Sequence, residues 1–137
     1  MNKTLLSNEN FALASSFSKI TGSIATDVFE AKDYTLFFVP KTQMAIAIGK
    51  NGVNVKKVMS ILKRPIRIVA QSQTPEELAK NMLYPLDLEV SGDSQKSLTL
   101  HLKTPSQHSK AFKDSLRLLK EVLRQKYNFK GYLTIKE

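Results

Sequence analysis

The chain has 137 residues, 42% of them hydrophobic, with 21 Lys and Arg against 12 Asp and Glu and so a formal net charge of +9. That length suits one domain or two very small ones around a real core, and the composition is not that of a disordered chain. A body this basic points to a polyanion as partner, and the absence of Cys excludes disulfides, thiolate metal sites and a cysteine nucleophile.

The charge is uneven. Residues 1–72 hold 10 basic and 4 acidic groups, a net of +6, whereas residues 73–137 hold 11 and 8, a net of +3. The first half is therefore the better candidate for a polyanion-facing surface. No apolar run reaches the length of a membrane span, and the first ten residues lack the apolar stretch of a secretory signal. A soluble, cytoplasmic protein with no membrane partner is expected.

In chain order, Asn8 or Asn10 can cap a first helix in which Phe11, Ala14, Phe17 and Ile20 recur at helical spacing until Gly22. Residues 24–30 and 34–39 are rich in strand formers and flank a turn at Ala31-Lys32-Asp33, which predicts a hairpin ended by Pro40. Thr42 can then cap a short helix through Met44 to Ile48. Gly49 ends it, and a second helix follows with Val55, Val58, Met59 and Leu62 on one apolar face. After Lys63-Arg64-Pro65, residues 66–69 read as a strand. The order so far is α-β-β-α-α-β.

The second half opens with the capping box Thr74…Glu77, with Pro75 at the first helical position, and a short helix to about Leu83. Leu86, Leu88 and Val90 alternate with Asp87 and Glu89 as a strand, Ser91 to Ser94 reads as a turn, and residues 98–102 alternate again. Phe112, Leu116, Leu119 and Leu123 mark a long basic helix, and residues 132–135 form a closing strand. This α-β-β-α-β order is a loose echo of the first half.

The chemistry lies in Gly49-Lys50-Asn51-Gly52, which places two glycines three apart between two helices. Glycine lets the chain turn sharply and lets a ligand backbone lie against it. The second helix begins at the loop, so its N–H groups and positive dipole end face whatever is held there. Lys50 adds a mobile charge. Such a loop suits phosphates, although the two glycines alone also fit a plain helix–turn–helix corner.

With its flanks, the stretch from Met44 to Val58 resembles the KH family in its type II order, and more closely the archaeal NusA-like transcription factors. Residues 74–83 resemble the linker helix of those proteins, and the likeness weakens beyond about residue 90. The resemblance implies an α+β fold of two small tandem type II KH-like units, the second degenerate. It divides the chain into a KH domain at 1–72, a linker helix at 73–84 and a second unit at 85–137. It also implies that the polymerase-binding and OB-fold domains of bacterial NusA are lacking.

The resemblance further implies single-stranded RNA as partner, clamped over about four nucleotides, and RNA polymerase as a possible second partner. Backbone amides of Gly49 to Gly52 and the Lys50 ammonium would meet phosphates. Ile48, Val53, Val55, Ile66 and Ile68 would line an apolar groove for bases. Asn54, Lys56 and Lys57 would extend the backbone contact, with a solvated helix face as the alternative for each. Val58, Met59 and Leu62 read as core.

The second unit departs from the pattern, because Ser106 to Asp114 contains no glycine. Its clamp is expected to be lost, with Lys110, Lys113, Arg117, Lys120 and Arg124 forming a solvated face that adds at most nonspecific attraction. A nucleotide-hydrolase loop is excluded, since Met44 stands where its first glycine would fall and Asn51 replaces the Ser or Thr. His101 and His108 lack metal-ligand spacing. No cofactor, metal or catalytic activity is expected. A KH-fold protein–protein adaptor and a ribosome-assembly factor remain as alternatives, and the oligomeric state is left open.

Overall fold

The first helix, α1 (Asn8–Thr21), ends where Gly22 takes a positive φ of 75°. The computed structural model describes residues 8–84, 86–93, 97–103 and 109–136, in two compact units that divide between Gln71 and Ser72. Asn8 and Asn10, read as caps, lie inside the helix instead, and Asn10 Nδ2 donates to the Val28 carbonyl at 3.4 Å. The inner face of α1 is Leu13, Ala14, Phe17 and Ile20, which leaves Phe11 exposed.

Strands β1 (Asp27–Glu30) and β2 (Thr35–Val39) form the expected antiparallel hairpin, pairing Asp27 with Phe38 and Glu30 with Thr35. β1 starts later than its composition suggests. Ile24 is exposed, and its N–H donates to Gln43 Oε1 at 2.8 Å rather than to a neighbouring strand. All five residues of β2 are buried. β3 (Ile66–Ala70) lies parallel to β2 on its other side.

Between β2 and β3 run a 3-10 turn at Lys41–Gln43, α2 (Met44–Ile48), a second 3-10 turn at Lys50–Gly52, and α3 (Val53–Leu62). Thr42 does not cap α2. The turn after Pro40 already delivers the chain into the helix, and α2 has no side-chain cap. The core joins Phe17, Val28, Phe37, Val39, Ala47, Val58 and Ile66. Phe17 and Phe37 stack at 4.3 Å with planes 11° apart. Burying each ring contributes about 1.5–3 kcal/mol, and the stacked pair about 0.5–1.5 more.

In the second unit, α4 (Pro75–Leu83) begins at Thr74, whose Oγ1 accepts from the Glu77 N–H at 3.1 Å. The Glu77 carboxylate closes the box one residue early, accepting from the Gln73 N–H at 2.7 Å. This helix is not a free linker. Leu78, Ala79, Met82 and Leu83 are buried, so it packs as the first element of the second unit.

β4 (Leu88–Asp93) and β5 (Ser97–Leu102) pair antiparallel, and β6 (Tyr132–Lys136) joins β5 in parallel. The turn expected at Ser91 is instead strand: Ser91 pairs with Thr99, Gly92 with Leu98 and Asp93 with Ser97. Ser94 lies outside the described residues. α5 (Lys110–Tyr127) buries Phe112, Ser115, Leu118, Leu119, Val122 and Leu123, whereas Leu116 is half-buried. The inner stripe thus follows the 3.6-residue period with Leu118 and Val122 on it.

The protein is α+β, with tandem small KH-like units that share one sheet plan, an antiparallel pair extended by a parallel third strand. Among the described residues no helix is long and apolar enough to cross a membrane.

Candidate nucleic-acid interface

The Gly49–Gly52 loop is a break between α2 and α3 that only particular residues can make. Gly49 has φ 78° and ψ 167°, a region essentially closed to residues with a Cβ. Asn51 (φ 57°, ψ 28°) and Gly52 (φ 73°, ψ 21°) are both left-handed. Asn tolerates that conformation better than most residues. The Gly49 N–H donates to the Ala45 carbonyl at 3.0 Å and the Gly52 N–H to the Gly49 carbonyl at 3.1 Å. The Val53 N–H donates to the Lys50 carbonyl.

The break is held tightly from one side. A Cβ on Gly49 would sit 2.9 Å from Val53 Cγ1 and 3.0 Å from Asn54 Cγ and Nδ2. Asn54 Nδ2 in turn donates to the Ile46 carbonyl at 2.9 Å, tying the start of α3 to the end of α2. Asn54 therefore has a positioning role in the loop. Lys50, Asn51, Lys56 and Lys57 are exposed.

The residues expected to line an apolar groove are not equivalent. Ile66 is 5% exposed and belongs to the core, so it cannot present a surface to a base. Its strand position opposite Thr35 turns it inward. Val55 and Ile68 are half-buried against the same core, and Ile48 is half-buried beside the loop. Val53 is 43% exposed at the first position of α3. Ile46, at 56% exposure, is a large apolar side chain in α2 that the sequence pattern marked only as a flank.

A charge signal is also hidden when the chain is counted in halves. Residues 34–75 contain no Asp or Glu and seven Lys or Arg. Two of the seven have structural engagements. Arg64 donates to the Ala31 carbonyl at 2.8 Å, and the Arg67 guanidinium lies 5.9 Å from the centre of the Tyr34 ring. The loop thus sits in a stretch of chain with cations and no acidic side chain of its own.

The second unit offers no such break within its described residues. Ser109 caps α5, its Oγ accepting from the Phe112 N–H at 3.0 Å, and the helix then runs unbroken for 18 residues. Residues 104–108, which include part of the segment where a lost clamp is expected, lie outside the described residues.

No family model matches the chain. Over 84 residues, 61% of the chain, it is 30% identical to the probable transcription termination protein NusA of Methanococcus vannielii. That match covers 49% of the relative, so the chain spans about half the length of the curated protein it matches. Among solved structures, it resembles the crystal structure of APE1850 with a TM-score of 0.80. The match covers 96% of this chain and all of that one at 20% identity, and at that identity the likeness shows the fold.

Proposed function

We propose that the chain binds single-stranded RNA through the Gly49–Gly52 loop as a NusA-like factor acting with RNA polymerase in transcription elongation or termination. The observation that carries this reading is the conformation of the loop. Gly49 and Gly52 both have positive φ at the break between α2 and α3, and Lys50 and Asn51 project between them. A phosphodiester backbone can approach such a turn closely, and it meets the N-terminal end of α3 together with the Lys50 ammonium. The 84-residue likeness to an archaeal NusA supports the transcriptional setting. The exposed Val53 and Ile46 and the half-buried Ile48 supply apolar surface beside the loop for unpaired bases.

Lys50→Asp with Asn51→Asp tests the loop. Both side chains are exposed, and Asp tolerates the left-handed conformation at position 51, so the fold should survive by circular dichroism. Affinity for a short single-stranded RNA should fall about tenfold or more, the effect of removing one charge-assisted phosphate interaction. Its salt dependence should flatten by about 0.7 in log–log slope for each phosphate no longer neutralised. A folded double variant that binds RNA as before would sink the mechanism. Crosslinking in cells tests the setting: nascent transcripts are the expected RNA, and ribosomal RNA would move the protein to ribosome assembly.

A further inference from the structure

The outer face of α5 carries Lys110, Lys113, Arg117, Lys120 and Arg124, all exposed. At 3.6 residues per turn these five fall within about 80° of arc, opposite the buried stripe. The basic face leads to the end of the helix. There Asn128 turns left-handed (φ 53°, ψ 35°), and the N–H groups of Asn128 and Phe129 both donate to the Leu123 carbonyl. This turn swings the chain into β6 and opens a cleft of about 380 Å³. Lys120 and Arg124 from the helix line it together with Lys130, Gly131, Tyr132, Leu133 and the buried Phe129.

The chemistry of the cleft is unusual for a solvated surface. Three cations converge on it, no acidic residue lines it, and among the described residues no carboxylate lies within ion-pair distance of the three. Their mutual repulsion is relieved by a polyanion. Tyr132 is 78% exposed, so burial does not account for its ring. A lone phosphate would satisfy the cations and leave the ring unused. A duplex would hide its base faces from it. A single strand uses both, with phosphates on the cations and an unpaired base on the ring.

We propose that this cleft is a second strand-binding site, in which Lys120, Arg124 and Lys130 hold phosphates of a single-stranded RNA and Tyr132 stacks on one of its bases. It lies at the C-terminal end of α5, whereas the glycine loop of the first unit precedes the N-terminus of α3. It does not depend on the Gly49–Gly52 loop.

The test uses the full chain carrying Lys50→Asp and Asn51→Asp, so that the first site is removed, and an oligouridine containing 5-iodouridine. Light should crosslink the oligonucleotide to Tyr132, located by mass spectrometry. Tyr132→Ala should weaken binding about fivefold or more, the low end for one stacked base, and Tyr132→Phe should restore it because the ring acts and not the hydroxyl. Lys120→Glu with Arg124→Glu should abolish the crosslink. Lys19→Glu with Lys32→Glu, the same change in net charge on exposed residues of the first unit, should leave it. The proposal falls if the loop variant no longer binds, if the two charge reversals act alike, if Tyr132→Ala binds unchanged, or if a duplex competes as well as the single strand. Loop-variant binding equal to wild type, with sensitivity to Tyr132→Ala, would overturn the loop reading and leave the cleft standing.

Discussion

Replacing Gly49 by alanine should cost the first unit far more than the same change at Gly52, although both glycines have positive φ. At Gly49 two penalties combine. The backbone at φ 78° and ψ 167° lies where a Cβ is essentially not tolerated, which costs about 1–3 kcal/mol. The new methyl would also sit 2.9 Å from Val53 Cγ1 and 3.0 Å from two atoms of Asn54. Relieving that clash displaces the Asn54 amide from the Ile46 carbonyl, a hydrogen bond worth about 1 kcal/mol. The expected total is about 2–4 kcal/mol. At Gly52 the conformation is ordinary left-handed helix and nothing lies within 4 Å of the added Cβ, so about 1–2 kcal/mol is expected. Native-state hydrogen exchange of the β2 amides in the full chain isolates the first unit. Gly49→Ala should lower their protection about thirty- to a thousandfold, and Gly52→Ala about five- to thirtyfold. Equal losses, or a larger loss at Gly52, would refute the account of the loop as a break held by Val53 and Asn54.

Two further predictions concern the second unit. Burial pushes the Tyr127 phenol above its ordinary value; the hydrogen bond with the Ser72 hydroxyl at 2.9 Å opposes the shift, and Glu77 adds to it. The folded state therefore holds the proton longer than the unfolded state, so stability is fully present below about pH 10 and is lost as pH rises beyond it. Tyr127→Phe should remove that part of the alkaline decline in thermal melts, and an unchanged decline would contradict the burial argument. Gly92→Ala should destabilise the second unit by about 1–3 kcal/mol through overpacking. Its Cβ would meet Leu98 Cδ2 at 2.7 Å and Glu76 Oε2 at 2.9 Å, and a stabilised variant would show that α4 does not approach β4 that closely.

The element order was legible because each apolar run carried its own period and its own punctuation. Gly22, Pro40, Gly49 and the Thr74 capping box all mark boundaries that the structure keeps, to within a residue or two. What failed is what depends on neighbours. Gly92 looked like a turn because glycine usually marks one, but it pairs with Leu98 inside β4, with Leu98 Cδ2 and Glu76 Oε2 close to where a Cβ would stand. The linker reading of the helix at 75–83 rests on resemblance alone, and the burial of Leu78, Ala79, Met82 and Leu83 depends on neighbours that the segment's own sequence does not name. Only the resemblance places Ile66 in the groove, whereas its parallel register against Thr35 puts it in the core. The loop itself was legible as a motif, whereas its tie through Asn54 to the Ile46 carbonyl was not, because that contact spans eight residues and needs the turn to exist first.

The two units together bear on why the loop exists. Both carry the same sheet plan, an antiparallel hairpin with a parallel third strand reached by a helical crossover. In the second unit the described part of that crossover is an 18-residue helix with a side-chain cap. In the first unit the crossover is interrupted by Gly49, Asn51 and Gly52, all with positive φ, and α3 starts at Gly52 with no side-chain cap. Helix stability grows with uninterrupted length, so the break costs local stability that the second unit keeps. Among the described residues the second unit closes its sheet with no such break. What the break presents is two glycines and a lysine at the start of a helix, inside 42 residues of chain that contain no acidic side chain. Such an arrangement suits the phosphodiester contact proposed for it, since a backbone can approach glycine closely and meet the free N–H groups of a helix start.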